Sequence, residues 1–258
     1  MLTLLYLHYS PWSEKAAWAL DHHRVVHERK EYLPMLGEPW LRLRLKKARG
    51  PVTVPVLFGG HDVWEDSLSI ALYADAVGRG APLFPGGSVT PDPRLLEYER
   101  LADELMNSGR ARAAERALPR EDVLVESLPP LFRAGGPLAP RVGRLGVKFL
   151  RRKYDARGIS SSQHLERMRA ALDRLREALA ASARAASRGG VEPAHSYLLG
   201  DFSYADIAFC AALQFVKPVA DGYIRLGSAS REVWTDPDLA EYSDLLAWRD
   251  RVYDAHRH

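Results

Sequence analysis

The chain has 258 residues, of which 47% are hydrophobic and 27% charged, so it can bury a sizeable core as one large domain or two smaller ones. Its single cysteine, Cys210, excludes an internal disulfide and a thiolate metal cluster and fits a reducing compartment. No apolar run approaches the roughly 20 residues of a membrane span, and residues 1–7 lack the basic lead-in of a secretion signal, so a cytoplasmic protein with no membrane span is expected.

Residues 2–7 read as a first strand, and Ser10-Pro11 then opens a helix with an N-cap serine and a proline at the first helical position. Ala16, Ala17, Trp18 and Leu20 continue that helix to about residue 23. Residues 25–32 form a second strand, β-branched at its start and charged further on, as an edge strand would be. A short helix over 38–47 ends at Gly50-Pro51. Residues 52–58 are strand-like but contain Pro55, which cannot donate to a ladder, so Pro55 marks a strand start or an exposed edge. Gly59-Gly60 turns the chain into a short strand at 61–64, and Asp66-Ser67 opens a helix that Gly78 and Gly80 end. The order βαβ, helix, ββα within 80 residues predicts a thioredoxin-like mixed sheet. It sets Ser10, Val54-Pro55 and Asp66-Ser67 on one rim.

Residues 81–93 are rich in proline and glycine and read as a linker. No strand pattern recurs after it. Helices are expected over 94–118, 121–132, 142–154, 163–187 (stopped by Gly189-Gly190) and 242–253. Ser203 with Asp206 three residues on is a capping box, with Phe202 placed to staple onto Ile207. Cys210 follows among apolar neighbours and reads as a buried, inert thiol. The nine histidines show no metal-ligand spacing; His22-His23 and His256 to His258 read as surface residues. Between 128 and 154 lie Arg133, Arg141, Arg144, Lys148, Arg151, Arg152 and Lys153, with no acidic residue. Such a segment is either a solvated helix face or a surface for an anionic substrate, a membrane or nucleic acid.

Three motifs together carry a resemblance. Ser10-Pro11-Trp12-Ser13 with Lys15, Thr53-Val54-Pro55-Val56-Leu57, and Asp66-Ser67-Leu68-Ser69-Ile70 with Tyr73 resemble the N-terminal domain of cytosolic glutathione transferases of the bacterial, serine type. The resemblance implies an α/β thioredoxin-like glutathione-binding domain at 1–80, a linker at 81–93, and an all-helical domain at 94–258 on the hydrophobic-substrate side of the cleft. It implies that Ser10 hydrogen-bonds the glutathione sulfur. The Val54 backbone, beside a cis Pro55, would pair with the cysteinyl part, and Asp66 and Ser67 would hold the γ-glutamyl end.

Asp66 stands where the family has Glu or Gln, one methylene shorter, and Lys46, Lys47 and Arg49 all remain candidates for the glycine carboxylate. The segment has the shape of a Cys-Pro-aromatic-Cys motif with serine in both cysteine positions, so disulfide exchange is not expected there. Ser13 competes with Ser10 as the sulfur ligand. The implied function is conjugation of glutathione, as co-substrate, to a small hydrophobic electrophile by a homodimeric detoxification enzyme, without nucleic acid or metal. A glutathione-dependent isomerase, dehalogenase or peroxidase, or a non-enzymatic binding module of the same fold, stands as the alternative.

Overall fold

Alternation within the first strand sets the architecture of the N-terminal half. The computed structural model describes residues 1–34, 36–128, 130–133, 136–154, 158–188 and 196–257. In β1 (Leu2–Tyr6), the consecutive buried residues Leu4 and Leu5 point to opposite faces of the sheet. β2 (His27–Glu31) runs parallel to β1 on one side. β3 (Val56–Gly59) runs antiparallel on the other, with β4 (Asp62–Trp64) beyond it, giving the order β2-β1-β3-β4. The register sets Leu4 opposite Leu57 and Leu5 opposite Val56. Leu4 and Leu57 join the main core with α1 (Pro11–His22) and α3 (Ser67–Val77). Leu5 and Val56 pack with Leu41 of α2 (Glu38–Arg44) on the opposite face. This is the thioredoxin-like arrangement expected, and the charged β2 takes an edge of the sheet, where its side chains stay solvated.

Beyond α3 the described residues are helical or irregular, apart from an isolated bridge between Leu199 and Asp201. The helices are α4 (Pro93–Ala117), α5 (Glu121–Glu126), α6 (Pro130–Arg133), α7 (Ala139–Tyr154), α8 (Ser161–Arg188), α9 (Tyr204–Ala212), α10 (Ser228–Trp234) and α11 (Ser243–His256). α4 packs along α8 and α9, and α9 also meets α1 and α11, so one core runs through both halves. Two buried polar devices hold this part together. Ser203 and Asp206 make the expected capping box, and the Asp206 carboxylate also accepts the Leu198 N–H at 2.9 Å. Arg112 donates two hydrogen bonds, of 2.7 and 3.0 Å, to the buried Asp236, and Arg116 donates a third at 2.9 Å.

Three expectations need correction or limits, and one helix was not anticipated. The single helix expected at 121–132 is two: α5 stops at Glu126, the Ser127 hydroxyl donates to the Leu124 carbonyl, and Pro129-Pro130 cannot continue the ladder. α10 was not legible because its cap comes from far away: the Glu126 carboxylate accepts the Ser230 N–H at 2.7 Å and the Ala229 N–H at 3.3 Å. His23 is 1% exposed and paired with Asp75 at 3.2 Å, so it is buried, while His256 is half-buried and stacks on Phe202 with ring centroids 3.8 Å apart. Gly189-Gly190, expected to end α8, and His258 lie outside the described residues. Cys210 is fully buried, and burial pushes its thiol well above the ordinary range, as an inert thiol requires.

Candidate active site

Ser10 and Ser13 are separated by less than one helical turn but have different work. Ser13 is 1% exposed, and its Oγ accepts the Leu7 N–H at 3.0 Å, tying the end of the first strand to α1. Ser10 is the N-cap of α1 with extended backbone angles, yet its hydroxyl makes no capping hydrogen bond. Its N–H donates to Leu7 O and its carbonyl accepts from the Glu14 N–H, so the backbone fixes the residue. The side chain lines a cavity of about 720 Å3. At a helix N-terminus that hydroxyl sits where unpaired amides and the helix dipole favour negative charge.

The same cavity is lined by Val54, Pro55, Asp66 and Ser67, so all five residues singled out in the sequence come together. The Val54–Pro55 peptide bond is cis, and the β1–β3 ladder begins at Val56, which leaves Val54 outside it. Asp66 caps α3: its Oδ1 accepts the Ser69 N–H at 2.7 Å, while the Asp66 N–H donates to Ser69 Oγ at 3.3 Å. One carboxylate oxygen is therefore committed to the helix. Lys46, Lys47 and Arg49 line neither this cavity nor its neighbour, and Lys47 pairs with Glu65.

The basic groups that do line it are Arg100, Arg110 and Lys153, none of which the motifs indicated. Arg110 lies over the Trp12 ring, 4.5 Å from its centroid. Lys153, at the end of α7, reaches over the cleft to donate to the Val52 carbonyl at 2.7 Å and to Glu38 at 2.9 Å. Burial would raise the Glu38 carboxyl, but Lys153 and Arg42 hold it below the ordinary range. Thus α7 is tied to the loop that leads into Val54-Pro55.

Behind Ser10 lies a buried ion cluster. Lys15 is fully buried and donates to Glu99 at 2.6 Å and to Asp103 at 3.0 Å, both on α4. Burial would lower the Lys15 ammonium, but the two carboxylates outweigh it and raise it, so the lysine stays charged. Trp12 Nε1 donates to the same Asp103 at 3.1 Å. The sequence held a clue: Lys15 lies four residues after Pro11 and three before Trp18, on the buried face of α1.

A second cavity, of about 1160 Å3, adjoins the first. The two share Tyr9, Arg110, Phe215 and Trp234 among their lining residues. Phe215 stacks on Trp234 at 4.6 Å, and Tyr9 meets Trp234 edge-on at 6.3 Å, forming an aromatic partition. The rest of the larger space is lined mainly by α4, α5 and the start of α8. This partition was not legible in advance, because it joins positions 9, 215 and 234. Among the described residues no three His, Cys, Asp or Glu side chains converge as a metal site needs.

A small mixed sheet flanked by helices and followed by a helical domain, with a cleft between them, is the class of architecture seen here. Residues 9–77 match the family model for the glutathione S-transferase N-terminal domain, and the fold over nearly the whole chain is that of solved glutathione S-transferases. A glutathione S-transferase from Methylobacillus flagellatus KT, solved with glutathione bound, is 17% identical and covers 98% of each chain, with a TM-score of 0.51. A family member from Pseudomonas fluorescens Pf-5, also with bound glutathione, is 20% identical over 98% of this chain and 94% of its own, with a TM-score of 0.52. The glutathione transferase GSTFuA2 from Phanerochaete chrysosporium is 14% identical over 99% and 98% of the two chains, with a TM-score of 0.59. Sequence comparison with curated proteins finds no match. Among the described residues no helix is long and apolar enough to cross a membrane.

Proposed function

We propose that this protein is a glutathione transferase in which Ser10 activates the glutathione thiol for attack on an apolar electrophile. The observation that carries this reading is the convergence of Ser10, Val54, Pro55, Asp66 and Ser67 on one cavity beside a larger, aromatic-walled one. Glutathione bound to the structural relatives from Methylobacillus and Pseudomonas supports the choice of ligand. A free thiol has a pKa near 8.5, so only a few per cent is thiolate at neutral pH. Hydrogen bonding from Ser10 Oγ and the positive end of α1 both favour the charged form, and a shift of about one unit raises its fraction on the order of ten-fold. The thiol proton leaves to solvent, the thiolate sulfur bonds to the electrophilic carbon, and the leaving group departs with its electron pair.

In this reading the Val54 backbone pairs with the cysteinyl unit of glutathione, and Asp66 and Ser67 at the start of α3 hold the γ-glutamyl end. Residues 1–80 bind glutathione, 81–93 link, and 94–258 supply the electrophile side. A cytoplasmic homodimer acting in detoxification belongs to the same proposal. Retention on immobilised glutathione and conjugation of a generic aryl halide test it. Ser10→Ala is expected to keep retention and lose turnover on the order of ten-fold, with the thiol pKa of the bound peptide moved up. Undiminished turnover in that variant removes Ser10 from the role.

A further inference from the structure

The helix that closes the front of the cleft carries a face that none of the other described residues covers. Leu138, in the turn Gly136–Leu138, is 59% exposed, and Val142 and Leu145 on α7 are 46% and 63% exposed. Steps of four and three residues put them on one stripe. One further step of four reaches Phe149, which is half-buried and lines the cavity of Ser10. On the opposite face Ala139 and Gly143 are buried. Gly143 sits so close to α5 that an added Cβ would lie 2.2 Å from the Leu124 carbonyl oxygen. The backbone contact thus fixes which face of α7 turns outward. Beside the apolar stripe run Arg141, Arg144 and Lys148, all exposed, again at steps of three and four. No acidic residue occurs between 128 and 154.

We infer that this face of α7 docks onto the interface of a bilayer rich in anionic phospholipid. A helix lying in such an interface needs apolar side chains to enter the acyl boundary and flanking cations to meet the headgroups. α7 presents both on its outer side. A nucleic acid would use the cations but leave Leu138, Val142 and Leu145 without an apolar environment. A second copy packed α7 on α7 would bring two sets of Arg141, Arg144 and Lys148 together with no carboxylate from either segment between them. The inference does not depend on the transferase reading, since vesicle binding is measured without glutathione.

The test is co-sedimentation of the full chain with phosphatidylcholine vesicles, with and without phosphatidylglycerol. Two exposed-site variants separate the contributions: Val142→Ser with Leu145→Ser removes the apolar stripe, and Arg141→Gln with Arg144→Gln removes two charges. The wild type is expected to partition onto the phosphatidylglycerol vesicles, less so as salt rises. Each cation near the surface is worth roughly five-fold in partitioning, so the arginine pair is expected to lose about twenty-five-fold. The serine pair is expected to lose on the order of ten-fold at unchanged net charge. Undiminished partitioning of the serine pair overturns the inference, since attraction between charges alone then accounts for binding. So does a serine pair that turns a dimer into a monomer while vesicle binding stays the same, and so does equal partitioning onto neutral vesicles.

Discussion

Behind Ser10 the cleft is walled by α1 and α4, which Lys15, Glu99, Asp103 and Trp12 join through buried or half-buried hydrogen bonds. In front of it stand α5, α6 and α7, short or amphipathic helices with large apolar side chains left in solvent. The rear wall rests on charges that must be paired to be buried at all. The front wall rests on close backbone approach at Gly143 and on the reach of Lys153 over the cleft. Rear-wall substitutions are therefore expected to act on stability, and front-wall or rim substitutions on what the cleft does.

The sharpest test of that division is Lys15. Lys15→Met keeps its bulk but leaves Glu99 buried without its cation, at an expected cost of about 3–5 kcal/mol in urea unfolding. Adding Glu99→Gln to that variant should restore most of it. If Lys15→Met alone costs nothing, the rear wall is not held by charge.

Next is the pair of buried carboxylates in the helical half, which titrate in opposite directions. Asp206→Ala strands the Leu198 and Ser203 donors and is expected to cost about 3 kcal/mol. Burial pushes the Asp206 carboxyl up to about 6, its hydrogen bonds notwithstanding. Asp206 binds its proton more tightly folded than unfolded, so its contribution to stability falls as pH rises from the ordinary 3.8 to about 6. Burial alone would also raise Asp236, but Arg112 and Arg116 hold it below the ordinary range. The Asp236 contribution is present above the unfolded pKa and lost as pH falls through the depressed value. Stability measured against pH for Asp206→Asn should lose the decline between pH 4 and 6 that the wild type carries.

Two smaller effects probe the front wall and the rim. Gly143→Ala drives a methyl into the Leu124 carbonyl and is expected to cost about 1–3 kcal/mol, while altering turnover more than glutathione retention. Ser10→Ala is expected to change stability by less than about 0.5 kcal/mol, because no capping bond is lost. A large loss of stability there would mean that Ser10 serves the fold after all.

The division also explains what could be read in advance. The sheet, α1, α3 and the capping box of α9 are specified by neighbours in sequence: alternation at Leu4 and Leu5, Pro11 after Ser10, Asp66 with Ser69, Ser203 with Asp206. The rim residues were legible because each lies at a local break in regular structure. The aromatic partition of Tyr9, Phe215 and Trp234 was not, because its members are brought together only by the packing of α4, α9 and α10. Nor were the cap of α10 by Glu126, the tie from Lys153 to Val52, and the burial of His23 against Asp75. Each depends on a contact between residues far apart in the chain.

The separation of duties between Ser13 and Ser10 leaves residue 10 as an interchangeable socket. Because Ser13 ties down the Leu7 amide and the backbone of residue 10 fixes the turn, the side chain there can be exchanged without disturbing the frame. Ser10→Cys would install a thiol at a helix N-terminus, where its pKa is lowered. The same scaffold would then offer a thiolate able to attack a peptide disulfide, forming a mixed disulfide and releasing the other thiolate, which serine cannot do. On the proposed function, one atom, sulfur for oxygen, separates a pocket that polarises a thiol from one that exchanges disulfides.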